Sequence, residues 1–275
     1  MRFISETPEE KDNMLSADTV QCAVLEGKYI TLSEDAVQCT AILEKQCALT
    51  GITLNQTQLL QFGIYFDLLT ETNKVMNLTA LTSPQDVAVK HYIDSLLCYD
   101  KLLMQGKKII DVGTGAGFPG VPLKIYDPSL QLILLDSLEK RLKFLQDTVN
   151  VLQLSGVSFE HKRAEDAGQD KKLRGQSDIV VSRAVARLSV LAEYCLPLVK
   201  KNGFFVALKG SKYKEELLEG EEAFRILGGS LMSVKEVKLP GLDDGRAIIV
   251  IRKIKDTPAM YPRKAGLPGK KPLSS

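Results

Sequence analysis

The chain has 275 residues, 44% of them hydrophobic, and a net charge of only +2. That is enough to bury the core of one main domain with an appendage, and it excludes a general polycation. Five scattered cysteines without a CxxC pair suit a reducing cytosol, and with no signal peptide and no apolar run of membrane-spanning length neither export nor a membrane is expected.

Charge is unevenly placed. Residues 1–36 contain three basic and eight acidic residues, whereas residues 253–275 contain six basic and one acidic. Such a gradient fits a globular body that meets a polyanion. The expected organisation is an acidic, poorly ordered extension over residues 1–35, a helical cap and linker over 36–100, a main domain over 101–256 and a basic, proline-rich tail over 257–275. A short helix around Thr19 to Leu25 is the weaker reading of the extension.

From about Glu34 the pattern turns helical. Val37, Ile42 and Leu43 line a first helix that ends before Gly51, and Asn55 with Gln58 has the spacing of a capping box. Leu59, Phe62, Phe66 and Leu69 then form one stripe of a second helix, a pattern that most often means core. A polar loop follows over Asn73 to Thr82, then a helix from Pro84 or Gln85 to about Cys98. His91, Asp94 and Ser95 fall at i, i+3 and i+4 of that helix and should share a face. They could form an acid/base pair, although plain surface pairing accounts for them more simply.

Lys107 to Gly120 reads KKIIDVGTGAGFPG, a strand ending in an acid and then four glycines in eight positions. Glycine permits positive φ and leaves no Cβ in the way of a ligand lying on the backbone. Gly115 to Gly120 satisfies GxGxxG, the dinucleotide fingerprint. The other register, Asp111 followed by Gly113, Gly115 and Gly117, is the turn of methyltransferases that bind S-adenosylmethionine. A strand-end carboxylate repels a pyrophosphate but accepts hydrogen bonds from an ammonium group, so Asp111 favours the methyl donor. Asp136 ends the next apolar run, about twenty residues on, where a carboxylate meets ribose hydroxyls.

The remainder alternates strand and helix. Strands are expected at Gln131–Asp136, Val157–His161, Asp178–Ser182 and Gly203–Leu208, with helices at Leu138–Leu154, Leu188–Leu196 and Tyr213–Leu227. Short links between them give a parallel sheet covered on both faces. Ser230–Leu239 and Arg246–Lys253 look like a closing hairpin whose strands run against the rest. The fold class is therefore α/β, a Rossmann-like, mostly parallel seven-stranded sheet with an antiparallel C-terminal hairpin strand and a small N-terminal helical cap. Ligands in such sheets lie at the carboxyl ends of the strands, the edge that holds Asp111, Asp136, Ala164, Glu165 and Arg183.

Several segments taken together resemble one family. They are Asn77-Leu-Thr-Ala80, His91-Tyr-Ile-Asp-Ser-Leu96, Asp111 to Pro122, Leu135-Asp-Ser137 with Lys140 and Arg141, Arg163-Ala-Glu165, Ser182-Arg-Ala-Val-Ala186, and Tyr261-Pro-Arg263 with Pro268 and Pro272. This combination resembles the bacterial 16S ribosomal RNA guanine-N7 methyltransferases, first called glucose-inhibited division protein B, from about residue 37 onward. The resemblance implies a cytoplasmic class I enzyme that moves a methyl group from S-adenosyl-L-methionine to N7 of one guanine in 16S RNA.

Carried over by motif, the cofactor contacts are Gly113, Phe118, Ala164, Glu165 and Arg183. Asp111, Thr114, Gly115, Gly117, Asp136 and Ser137 join them from the general fold and the neighbouring motifs, and Ala164-Glu165 is expected beside the adenine. Asn77, His91, Asp94 and Ser95 are the substrate-side candidates, with no catalytic residue assigned and no metal expected. Guanine N7 carries no proton and its lone pair lies in the base plane, so direct displacement needs no general base. Neither Asn-Pro-Pro-Tyr nor Asp-Pro-Pro-Tyr, the motif of exocyclic amine methylation, is present.

The partner implied is 16S RNA or the small-subunit ribosomal particle, with no DNA. Lys140, Arg141, Lys143, Lys162, Arg163, Lys209, Lys212, Arg263, Lys264, Lys270 and Lys271 are candidate phosphate contacts. The tail is the strongest of these, as an arm held open by its prolines. No heptad or long apolar edge suggests a dimer, so a monomer is expected. Competing readings are a methyltransferase of the same fold acting on another RNA, a protein or a metabolite, an NAD(P)-dependent oxidoreductase, and a non-enzymatic RNA-binding module.

Overall fold

The computed structural model describes residues 3–4, 22–25, 28–243 and 245–273. It divides into two compact units, Met1–Ile93 and Asp94–Ser275. The basic tail therefore belongs to the same unit as the main sheet.

In the first unit β1 (Phe3–Ile4), β2 (Cys22–Leu25) and β3 (Lys28–Thr31) form an antiparallel sheet in the order β1-β3-β2. Cys22–Leu25 is a strand where a short helix was the weaker reading, and the expected lack of order bears mainly on residues outside those described. Helix α1 (Glu34–Thr50) starts at Ser33, whose hydroxyl accepts from the Ala36 N–H, and stops at Gly51 in the left-handed conformation. Helix α2 (Gln56–Met76) begins with the expected capping box, Asn55 and Gln58 each receiving the other's backbone N–H at 2.9 Å. It runs on to Met76, beyond the expected start of the polar loop at Asn73, because Asn77 adopts φ +50° and closes its last turn. The aromatic stripe is core, as read: Phe62, Tyr65 and Phe66 are buried, with the Tyr92 ring 4.7 Å from that of Phe62.

The next helix departs from expectation. After α3 (Pro84–Asp86), capped by Ser83, residues Val87–Ile93 form a π-helix. A π turn leaves the 3.6-residue period on which a shared face of His91, Asp94 and Ser95 was expected: His91 lies in the π turn, and Asp94 and Ser95 in the α turn that follows. The second unit opens with α4 (Asp94–Leu96) and α5 (Lys101–Met104).

Its sheet contains β4 (Lys108–Val112), β5 (Gln131–Asp136), β6 (Val157–His161), β7 (Ser177–Arg183), β8 (Val199–Lys209), β9 (Gly229–Val237) and β10 (Arg246–Lys253). The order is β6-β5-β4-β7-β8-β10-β9. Between them lie α6 (Gly120–Tyr126), α7 (Glu139–Val151), α8 (Ala164–Gln169), α9 (Leu188–Cys195) and α10 (Tyr213–Leu227). Apolar runs such as Ile109–Ile110 and Leu132–Leu135 are buried, as central strands with both faces covered require. Strand β10 lies between β8 and β9 and is antiparallel to both. Only one strand is reversed, therefore, since β9 runs with the parallel set instead of against it. That reversal brings the start of β10, Arg246, to the edge where the parallel strands end.

Candidate active site at the carboxyl edge of the sheet

Asp111 is fully buried near the end of β4. Its Oδ2 accepts from the Thr114 hydroxyl at 2.7 Å and from the Gly120 N–H at 2.9 Å. The other oxygen, Oδ1, is also buried and has no partner. Burial pushes this carboxyl up to about 6, against the pull of Thr114, Gly120 and Arg183. One half of the group ties down the turn, and the other half remains to be satisfied.

The glycines serve different ends. A Cβ on Gly113, at φ +69°, would lie 2.6 Å from the Val185 side chain, so this glycine makes room for that neighbouring residue. On Gly120 it would meet Asp111 Oδ2 and Leu134 at 2.8 Å. Gly115, at φ +61°, has only the Gly113 carbonyl at 3.9 Å and faces open space. The expectation that these positions clear a path for a ligand is therefore kept at Gly115, while Gly113 and Gly120 make room for neighbouring side chains. Thr114 is likewise an internal lock: its side chain is buried on Asp111 and its N–H donates to the Leu135 carbonyl.

Asp136 ends β5 and holds the turn from the other strand. Its Oδ2 accepts from the Gly115 N–H and its Oδ1 from the Leu138 N–H, each at 2.9 Å, with Arg141 at 3.5 Å. Ser137 is exposed, and its carbonyl lies 3.1 Å from His161 Nε2.

Arg183, at the end of β7, donates to Asp94 Oδ2 at 2.7 Å and lies 5.0 Å above the Phe118 ring. Arg246 donates to Asp94 Oδ1 at 3.1 Å. Asp94 is buried, so it orients two guanidinium groups from strands that are not neighbours. In the first unit, His91 is buried with Nε2 at 2.9 Å from the Thr79 hydroxyl, which also accepts from the Leu81 N–H. Ser95 is fully buried, and its carbonyl accepts from the Cys98 thiol.

Glu165, in the first turn of α8, is buried. It takes the Gly266 N–H at 2.8 Å, and burial together with this carboxylate pushes the Tyr194 hydroxyl up to about 12. Ala164 beside it is half-buried.

Residues 58–244 match the family GidB, rRNA small subunit methyltransferase G. The chain belongs to this family. A ribosomal RNA small subunit methyltransferase G of Lactobacillus johnsonii is 52% identical over 235 residues, covering 84% of this chain and 98% of that protein. A protein of the same name in Desulforamulus reducens is 48% identical over 80% of this chain and 92% of its own length. Among solved structures the chain resembles the [4+2]-cyclase SpnF, with a TM-score of 0.50 at 16% identity over 72% of this chain and 96% of that one, a likeness of fold.

Family membership leaves the surface charges to be sorted by their partners. Arg263 is withdrawn from the phosphate candidates: its guanidinium grips both oxygens of the fully buried Glu193, at 2.6–3.2 Å. Lys162 lies between Glu160 and Asp170, and Lys209 is nearly buried on Glu216 and the Ala186 carbonyl. Lys140 and Lys143 are exposed and border a groove of about 530 Å³ with Phe159 and His161. Arg163, Lys212, Lys264, Lys270 and Lys271 are also exposed.

The tail is not an open arm. Pro262 is buried, and a Cβ on Gly168 would come within 2.5 Å of its ring. Arg174 donates to the carbonyls of Gly168, Thr257, Pro258 and Tyr261, and Gln169 to that of Pro262. Glu193, Arg246, Tyr194 and Arg174 all escaped the reading of the sequence. Glu193 alone left a trace there, as an acid inside an otherwise apolar helix.

Proposed function

We infer that this enzyme transfers the methyl group of S-adenosylmethionine to N7 of a guanine in 16S ribosomal RNA, free or within the small-subunit particle. The carrying observation is near-full-length similarity to proteins named as ribosomal RNA small subunit methyltransferase G. No described helix is long and apolar enough to cross a membrane, and a cytoplasmic monomer is the proposed form.

The residues present suit the donor. Asp111 Oδ1 is a buried acceptor without a donor, which a cationic ammonium group can satisfy directly or through water. A pyrophosphate would face that same carboxylate and be repelled, which disfavours a nicotinamide nucleotide. Gly115 leaves an unfilled cradle beside Asp136, whose oxygens retain lone pairs for ribose hydroxyls. We assign to the donor site Asp111, Gly115, Gly117, Phe118, Asp136, Ala164, Glu165 and Arg183, with Gly113, Thr114 and Ser137 shaping it.

When bound, the donor supplies an electrophilic methyl group on a sulfonium. The protein's part is placement. Asp94 fixes Arg183 over Phe118 and holds Arg246 near the same edge, so the cations there are oriented before RNA arrives. No side chain has to remove a proton from the acceptor atom, and an arginine clamped on O6 and N7 would block the nucleophile. Asn77, His91, Asp94 and Ser95 stay as the proposed substrate side, and Lys140, Arg141, Lys264, Lys270 and Lys271 as proposed phosphate contacts. The test is to map 7-methylguanine in 16S RNA from cells with and without the gene, and to restore it with purified enzyme and labelled donor. Label entering a protein or metabolite fraction, with 16S RNA unchanged, would sink the proposal.

A further inference from the structure

We propose that residues 257–271 form a clasp that positions Glu165 for the donor, so that the tail acts on cofactor affinity as well as carrying the proposed phosphate contacts. This rests on the reading of Glu165 as a donor contact.

The clasp is fastened along its length. Where it leaves β10, the buried Lys253 donates to the Leu196 carbonyl and to Thr257, whose own hydroxyl donates to the Leu227 carbonyl. Arg174 then gathers four carbonyls, two of them from Thr257 and Tyr261 at 2.8 and 2.7 Å. Glu193 takes the Arg263 guanidinium and also the Arg263 backbone N–H at 2.8 Å. A buried ion pair adds little net stability but fixes register, because a slipped partner leaves a charge without compensation. Here it sets which residue of the segment lies against α9. Three residues later the Gly266 N–H meets Glu165, in a turn at φ +80° that a side chain would resist.

Glu165 is thus held by a group outside its own helix, the Gly266 N–H, and is buried there. A freed carboxylate at this position would sample other rotamers and solvent. A fully held one is presented the same way each time, which lowers the entropy lost on binding.

The test is a double-mutant cycle read by calorimetry with S-adenosylhomocysteine. Arg263→Ala unfastens the clasp, and Gly168→Ala displaces Pro262 from the other side while improving a helix position, so it serves if the first variant folds poorly. Each should raise Kd about tenfold in the wild-type background and less than about twofold when Glu165 is already alanine. With saturating donor, kcat on ribosomal particles should change less than about twofold, since the defect lies in donor binding. Equal weakening in both backgrounds would show a general structural effect and overturn the clasp. Wild-type affinity in Arg263→Ala and Gly168→Ala, with Glu165→Ala weakened, would overturn the clasp and keep Glu165 as a contact. If Glu165→Ala itself binds like wild type, the underlying assignment falls.

Discussion

In the glycine turn, the hydrogen bond from Gly120 to Asp111 spans nine residues; in the tail, the bond from Gly266 to Glu165 spans 101. Both converge on the proposed donor site. The turn is tied largely by its own neighbours, with Leu135 and Asp136 of the adjoining strand taking its remaining N–H groups. The tail has local turns of its own, such as Leu267 N–H to the Lys264 carbonyl, but is held to the sheet unit by the distant Arg174, Glu193 and Gly168. A short-range device keeps its shape through its own sequence, whereas a long-range one depends on every contact along it.

The difference predicts where each will break. Removing the Glu193 carboxylate leaves the Arg263 guanidinium against a buried face, and loss of one partner from such a pair costs about 3–5 kcal/mol. Glu193→Ala should therefore make the tail the first target of limited proteolysis; unchanged cleavage would show the tail to be held without it. Gly115→Val should come next. A β-branched residue at φ +61° costs about 1–3 kcal/mol in backbone strain and also fills the open cradle. Its affinity for S-adenosylhomocysteine should fall by about two orders of magnitude, to which strain and lost space both contribute.

Acidity probes the turn more gently. The folded protein holds the Asp111 proton up to about 6 against an ordinary 3.8, so between those values it binds more protons than the unfolded chain. This group therefore favours folding most below about pH 4, and the benefit is lost as pH rises through 6. Relative to wild type, ligand-free Asp111→Asn should gain about 3 kcal/mol between about pH 4 and 7. Parallel urea titrations would expose the error if the two stabilities tracked each other. The smallest effect is expected at Lys264, exposed on the tail: Lys264→Ala should lower RNA affinity about two- to threefold and reduce the salt slope by about one.

What the sequence disclosed follows the same division by range. The capping box of Asn55 and Gln58, the turn after Asp111 and the strand–helix alternation are patterns within a dozen residues, and each took the expected form. The π-helix over Val87–Ile93, in which His91 lies, has no comparable local signature. Gly113 and Gly120 were legible as glycines, but their reasons, Val185 and the Asp111–Leu134 pair, lie across the fold. Tail prolines suggested an open chain because a sequence does not display Gly168, the flat site where Pro262 docks. Arg246 was hidden by topology: only the reversal of β10 brings it to Asp94.

Asp94 also governs how indiscriminate the edge is. With its carboxylate in place, Arg183 and Arg246 are each held in a fixed direction. Neutralising it would remove one negative charge from the edge and one anchor from each guanidinium, so the edge would attract any polyanion more strongly and distinguish among them less. An Asp94→Asn enzyme should thus hold bulk RNA more tightly while methylating its own target more slowly, becoming an occupant of ribosomal RNA instead of a modifier of it.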